Sequence, residues 1–207
     1  MGFRIITINR EFESGGNEIA QAVAAKLGLP YYDRFLIVAA SGETGIDQGR
    51  VASIDEKLES RFEYSQAEAA YYYTNNKNPL PTGARVAEAQ FQLIEALAEQ
   101  EPCLIVGRCA NYVLRGRDDV LDVFIRAGHE FRLQRTIERL ALPESKAARI
   151  LKRTDKARRA YYKNYTGCDW NDPNLYHAVL NADRLGFDAS VDAICDLYNY
   201  GKNLPEG

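Results

Sequence analysis

Residues 3–28, FRIITINREFESGGNEIAQAVAAKLG, decide the fold of this chain. The apolar, β-branched run FRIITI at 3–8 predicts a buried strand. The triplet SGG at 14–16 breaks that strand. Apolar residues then recur at helical spacing from Glu18 onwards, and Gly28 is a typical helix stop. The stretch therefore predicts a strand, a glycine turn and a helix in succession.

The same alternation of strands and helices returns later in the chain. Apolar runs predict further buried strands, and amphipathic runs predict further helices. The strands are CLIVG (103–107) and VLDVFIRA (120–127), and the helices are residues 86–100, 129–142 and 188–200. Strands that alternate with helices form a parallel sheet covered on both faces, with right-handed crossovers between them. We therefore expect a single α/β domain.

Two polar regions interrupt this alternation, at residues 41–85 and 144–176. Both follow predicted core elements, and α/β proteins place their binding sites beyond the ends of the strands. We expect the core to comprise residues 1–40, 86–143 and 177–207, with the two polar regions as insertions into it.

The composition is that of an ordinary globular protein. The 207 residues are 46% hydrophobic and 27% charged. They contain no apolar run long enough for a membrane span, and the N-terminus has no signal-peptide layout. The four cysteines form no CxxC pair, so we expect a reduced, cytoplasmic protein without a structural zinc site. The net charge of −3 argues against a strong electrostatic grip on nucleic acid.

The glycine turn after the first strand has the context of a phosphate-binding loop. Backbone N–H groups and the positive end of a helix dipole converge there on an anion. The full signature is GxxxxGK[ST]. When Gly16 takes the second glycine position, Glu11 takes the first, Asn17 replaces the lysine and Glu18 replaces the hydroxyl residue. The turn is therefore either a degenerate phosphate loop or a plain strand-to-helix connection.

Four segments together resemble the cytidylate kinase-like family, an offshoot of the P-loop nucleoside monophosphate kinases. They are TINREFESGGNEIAQAVAAKLGLPYYDR (7–34), EPCLIVGRCANYVL (101–114), VFIRAGHEFRLQR (123–135) and DKARRAYYKNYTGCDWNDPNLYHAVLNADRLGFDASVDAI (155–194). The resemblance implies a three-layer P-loop kinase-like fold, with a helical acceptor-binding insert at about 41–85 and a basic lid at about 144–176. It also implies transfer of the γ-phosphoryl group of ATP, with Mg²⁺, to a nucleoside monophosphate. CMP or dCMP is the acceptor that we expect.

The resemblance assigns the triphosphate to the loop. Arg10 is positioned to replace the missing lysine charge from the strand end, and Ser14 is the expected metal-facing hydroxyl. The residues expected to bind ATP are Arg10, Ser14, Gly15, Gly16, Asn17 and Glu18.

Three residues are expected to bind the acceptor: Asp33 and Arg34 after the first helix, and Arg108 at the end of a buried strand. An arginine can hold a phosphate through two hydrogen bonds at once, which suits Arg34 and Arg108. The alternative for Asp33 and Arg34 is an ordinary ion pair at a surface turn. Arg108 is also expected to act in catalysis.

A dense basic segment at 152–159 is the expected lid helix. Phosphoryl transfer spreads negative charge over the transferred group, and arginines that close over it stabilise that charge. We expect Arg153, Arg158 and Arg159 to take this part, with Asp155 holding an arginine in position. The alternative is a solvated basic helix face.

The aromatic segment at 161–170 admits three interpretations. Its tyrosines either cap the nucleotide or pack the lid helix on the core. Aromatic and basic residues in alternation also suit stacking on single-stranded nucleic acid.

Because the loop lysine and hydroxyl residue are missing, a nucleotide sensor or partner-binding protein with little kinase activity is the alternative to an enzyme.

Overall fold

The computed structural model describes residues 2–33 and 82–202. Within them lies a parallel sheet of five strands in the order β2-β3-β1-β4-β5. The strands are β1 (Ile5–Arg10), β2 (Tyr31–Tyr32), β3 (Cys103–Val106), β4 (Val120–Arg126) and β5 (Ala178–Asn181). Because β1 is the central strand, all six of its residues are buried. The carboxyl end of β1 therefore opens at the middle of one sheet edge, between those of β3 and β4.

Helices cover both faces of this sheet. They are α1 (Gly16–Leu27), α2 (Thr82–Gln100), α3 (Ala110–Val113), α4 (His129–Leu140), α5 (Glu144–Thr166), α6 (Ala182–Leu185) and α7 (Phe187–Lys202), with a 3₁₀ turn at Pro173–Leu175. On one face, Ile6 and Ile8 of β1 pack with Ile19 of α1 and Ile194 of α7. On the other face, Ile5 packs with side chains of α2 and α3. The alternating sides of β1 thus hold the two helix layers together.

The predicted α/β fold with a parallel sheet flanked by helices is confirmed. Strand β1 starts and ends two residues later than the predicted 3–8, and α2 begins at Thr82 rather than residue 86. Strand β5 was not predicted, because its four residues, AVLN, form too short an apolar run. Residues 34–81, which include Arg34 and nearly all of the expected acceptor-binding insert, lie outside the described residues.

The expected lid region is dominated by the 23-residue helix α5, which rests on the core at both ends. Near its start, Ala147 and Leu151 pack with Phe12 and with Leu133 of α4. Near its end, Tyr162 packs with Phe124 of β4. Helix α5 therefore spans the carboxyl edge of the sheet and packs against Phe12 of the loop that follows β1.

The aromatic segment at the end of α5 packs against the sheet. Trp170 is 3% exposed, and its ring lies 5.1 Å from that of Phe124. The Tyr165 ring lies 5.8 Å from Phe91 of α2. These contacts favour the interpretation that the segment packs α5 on the core. Buried rings such as Trp170 offer no platform for single-stranded nucleic acid.

Candidate functional site

The loop between β1 and α1 depends on two glycines. Gly15 has a φ of 83°, in the left-handed region that favours glycine. A Cβ atom built on Gly16 would lie 2.5 Å from the Cβ of Arg10, a distance that side chains do not tolerate. Glycine at both positions therefore lets the start of α1 approach the end of β1 closely.

The start of α1 presents unpaired backbone donors. Ile19 N donates to Gly15 O at 2.9 Å, so the first intrahelical bond begins there. The earlier helical N–H groups, those of Gly16, Asn17 and Glu18, have no intrahelical acceptor and carry the positive end of the helix dipole. They face an open cleft. The cleft is lined by residues 10–18, Arg139 and Arg158.

Arg10 reaches across this edge of the sheet. Its Nε donates to Asn17 Oδ1 at 2.7 Å, and a Cβ atom built on Gly107 would lie 2.7 Å from its Nη1. The guanidinium therefore lies between the loop and the end of β3. The structure thus brings together Arg10, Asn17 and the Gly107–Arg108 turn, which are distant in sequence.

The buried side chain of Ser14 makes a hydrogen bond within the loop. Its Oγ donates to Glu11 O at 2.9 Å, and the residue is 1% exposed. Donating this bond leaves the hydroxyl lone pairs for a cation, so Ser14 fits Mg²⁺ as one neutral oxygen ligand. Magnesium bound to nucleotides usually takes its other ligands from phosphates and water.

Two glutamates, Glu13 of the loop and Glu18 in the first turn of α1, are paired with arginines of α4. Arg139 Nη1 lies 2.8 Å from both Glu13 Oε2 and Glu18 Oε1, and Arg135 Nη2 lies 2.8 Å from Glu18 Oε1. Burial raises the pKa of Glu13, and Arg139 opposes that rise. Glu13 also has a φ of 56°, a left-handed conformation that is costly for a residue other than glycine. The carboxylate of Glu18 is thus paired rather than left to repel a phosphate.

A second ion pair joins α4 and α5 beneath the loop. Asp155 Oδ2 accepts from Arg132 Nη1 at 2.5 Å, and its Oδ1 accepts from Phe12 N at 2.8 Å. Arg132 also donates to the backbone oxygens of Phe12 and Ala127. Asp155 does hold an arginine, and that arginine belongs to α4. The carboxylate therefore ties the loop to both helices.

The expected lid arginines differ in their placement. Arg158 lines the cleft, donates to Arg10 O at 3.0 Å and lies over the Phe12 ring. Arg153 and Arg159 are exposed on α5 and are not among the residues that line the cleft. The structure thus brings Arg158 to the loop and leaves Arg153 and Arg159 outside the cleft.

Arg108 lies in a strained turn after β3. Gly107, Arg108 and Cys109 have φ values of 79°, 55° and 59°, which is costly for the two that are not glycine. Arg108 is 8% exposed, and its Cζ lies 5.1 Å from the centre of the Tyr161 ring. Among the described residues, its Nε and Nη2 have no hydrogen-bond partner. Backbone strain and unpaired buried donors are features often found at binding sites.

Asp33 directly follows β2 and is half-buried. Burial raises the pKa of Tyr31, and the charge of Asp33 adds to that rise, whereas Arg10 opposes it. Asp33 thus lies at the same edge of the sheet as Arg10. Its expected partner Arg34 is outside the described residues, so the acceptor role of that pair stays a prediction.

The family of the chain follows from a comparison with protein-family models. Residues 5–184 match the model of the cytidylate kinase-like family. The matched range includes the loop, the Gly107–Arg108 turn, α4 and α5. The chain belongs to the cytidylate kinase-like family. No protein with curated annotation matches it.

Solved structures show how this cytidylate kinase-like chain is folded. An uncharacterised protein from Eubacterium ventriosum is similar, with a TM-score of 0.71, 24% identity and coverage of 94% of this chain and 98% of that one. A gluconokinase from Sinorhizobium meliloti has a TM-score of 0.52 and 15% identity, and the match covers 98% of this chain and 97% of that one. A shikimate kinase from Bacteroides thetaiotaomicron has a TM-score of 0.51 and 16% identity, and the match covers 94% of this chain and 98% of that one. The family member therefore has a P-loop kinase-like fold.

The arginines of α4 are the site residues that sequence reasoning missed in this family member. Arg132, Arg135 and Arg139 follow one another at three- and four-residue steps, which places them on one helix face. That spacing is visible in the sequence, and so are the three glutamates at 11, 13 and 18. Their pairing joins residues more than 100 positions apart, and only the fold brings them together.

A buried polar network lies below the site of this cytidylate kinase-like chain. Asn9 Nδ2 donates to Asn111 Oδ1 at 3.0 Å, and Asn111 Nδ2 donates to the hydroxyl of Tyr162 at 2.9 Å. On β4, burial raises the pKa of Asp122 to about 7, opposed by a hydrogen bond from Thr7. The network links α3 and α5 to β1.

None of the described helices is long and apolar enough to cross a membrane.

Proposed function

We propose that the chain transfers the γ-phosphoryl group of ATP to a nucleoside monophosphate, with CMP or dCMP as the expected acceptor. The observation that carries this proposal is the meeting of two anion-binding features at one sheet edge. The glycine loop opens after β1, and Arg108 follows the neighbouring β3 with two buried guanidinium nitrogens that have no partner among the described residues. Membership of a cytidylate kinase-like family supports it.

The triphosphate of ATP would lie over the N-terminus of α1. The N–H groups of Gly16 and Asn17 would donate to the β- and γ-phosphate oxygens, as helix N-termini do for anions. Arg10 would supply the positive charge that the missing lysine supplies elsewhere, because its guanidinium already contacts Asn17. Mg²⁺, held in part by the Ser14 hydroxyl, would neutralise phosphate charge there.

The acceptor phosphate would lie on Arg108, with Asp33 and Arg34 at the far side of the same edge. It needs no strong general base, since the attacking oxygen is already anionic. Catalysis would then consist of holding two phosphates in line and neutralising the charge between them. Arg158 lines the cleft and is positioned for that second task, whereas Arg153 and Arg159, which do not line it, stay as predicted lid residues.

A nucleotide sensor with little kinase activity is the second candidate, and one observation favours it. The cleft is lined by three arginines and three glutamates, so its charge is balanced without a nucleotide. Glu13 and Glu18 already engage Arg139. A triphosphate would have to compete with those carboxylates or bind beside them.

The assay that separates the two candidates counts diphosphate product. The purified chain is incubated with ATP and Mg²⁺ and with each nucleoside monophosphate in turn. We expect one monophosphate, CMP or dCMP, to yield its diphosphate together with ADP in equal amounts. ATP binding without diphosphate from any acceptor would contradict the enzymatic proposal and support the sensor.

A further inference from the structure

Three buried donor atoms surround the side chain of Tyr161. They are Nε2 of Gln90 and both Nε and Nη2 of Arg108, and none of them has a hydrogen-bond partner within residues 2–33 and 82–202. Gln90 is 1% exposed and Arg108 is 8% exposed. Buried polar atoms are nearly always paired in folded proteins, so three unpaired donors in one place call for a ligand.

Tyr161 determines which end of the Gln90 amide is free. The Tyr161 hydroxyl donates to Gln90 Oε1 at 3.4 Å, so Nε2 is the end without a partner. The Arg108 guanidinium lies over the ring of the same tyrosine. Burial raises the pKa of Tyr161 to about 12, so at neutral pH its hydroxyl keeps the proton that it donates.

All three free atoms are nitrogen donors, and none is an acceptor. A group that presents only lone pairs therefore matches them, and an oxyanion matches them best because Arg108 is charged. The chain neighbours Phe91 and Cys109 belong to one cluster of apolar and aromatic side chains, so the three donors lie beside apolar surroundings.

We infer that Gln90 is a second anchor for the acceptor phosphate. Its Nε2 donates to one phosphate oxygen while Arg108 donates to the others, and Tyr161 of α5 fixes the orientation of the amide. This inference rests on the proposed function in one respect, namely that a monophosphate binds at Arg108. It adds a residue of α2, which the sequence motifs did not indicate.

Two substitutions at Gln90 test the inference. Gln90→Leu keeps the volume and removes the donor, and Gln90→Glu puts a carboxylate beside Arg108, where it competes with the phosphate. We expect either change to weaken binding of CMP and of inorganic phosphate by about 10- to 100-fold, the loss typical of a hydrogen bond to a charged group. Gln92→Glu, on an exposed position of the same helix, is the matched control and should leave both affinities unchanged.

Dissociation constants are measured by calorimetry for CMP, cytidine and inorganic phosphate, and thermal unfolding checks that each variant is folded. Cytidine binding should not change. A Gln90→Leu affinity for CMP within about twofold of the parent, or an equal loss for cytidine, would overturn the inference. A parent that binds phosphate but makes no diphosphate would refute the proposed kinase and leave Gln90 as an anion ligand. A parent that binds neither CMP nor phosphate would refute both.

Discussion

Arg108→Ala is expected to weaken binding of the nucleoside monophosphate by about 100-fold or more and to leave ATP binding within about twofold. The large effect follows from the loss of two charge-assisted hydrogen bonds to one phosphate. The ATP site is spared because the loop and Arg10 make their contacts without Arg108. Calorimetric titrations with each nucleotide separately give both numbers.

The same variant has an expected signature in stability. Nε and Nη2 of Arg108 are buried without partners among the described residues, so removing them does not break a hydrogen bond there. We expect the free energy of unfolding to stay the same or to rise, because the substitution removes two buried donors that have no partner. Arg115→Ala, at an exposed position nearby, serves as the control and should change neither affinity. Equal losses of ATP and monophosphate binding would refute the assignment of Arg108 to the acceptor.

Asp155→Ala is expected to lower the free energy of unfolding by about 3–5 kcal/mol. The substitution leaves buried Arg132 with only the more distant carboxylate of Glu11, at 3.5 Å, and the N–H of Phe12 without its acceptor. Breaking one side of a buried ion pair is costly because the other charge stays buried. Urea denaturation followed by circular dichroism measures the change.

Two further variants show where that loss arises. Asp155→Asn keeps an acceptor for Phe12 N and removes the charge, so its loss should lie between those of the parent and Asp155→Ala. Asp196→Ala changes an exposed carboxylate on α7 and should fall within about 0.5 kcal/mol of the parent. If Asp155→Ala unfolds within about 1 kcal/mol of the parent, the ion pair does not hold the loop to α4 and α5.

The fold was predictable from local patterns, because the deciding elements are long or strongly patterned. The run at 5–8 and the glycines at 15 and 16 indicate a strand and a turn by themselves. Strand β5 was not predictable in this way, since its four residues are ordered by pairing with β4. Its partner strand, more than 50 residues earlier, decides its conformation.

The site was predictable only in part, for a related reason. Arg108 could be singled out because it follows a buried strand directly. The role of Asp155 in joining Phe12 to Arg132 depends on how α4 and α5 pack, which no local pattern reports. Gln90 lies in an ordinary amphipathic helix, and only its burial beside Tyr161 sets it apart.

The central claim is that the loop at 14–16 binds a triphosphate although its lysine is absent. The most direct test is a crystal structure of the full chain with a non-hydrolysable ATP analogue and Mg²⁺. We expect phosphate oxygens within hydrogen-bonding distance of the N–H groups of Gly16 and Asn17, with Glu18 still paired to Arg135 and Arg139. A nucleotide bound elsewhere, or a cleft occupied by the Glu18 carboxylate instead, would contradict the claim.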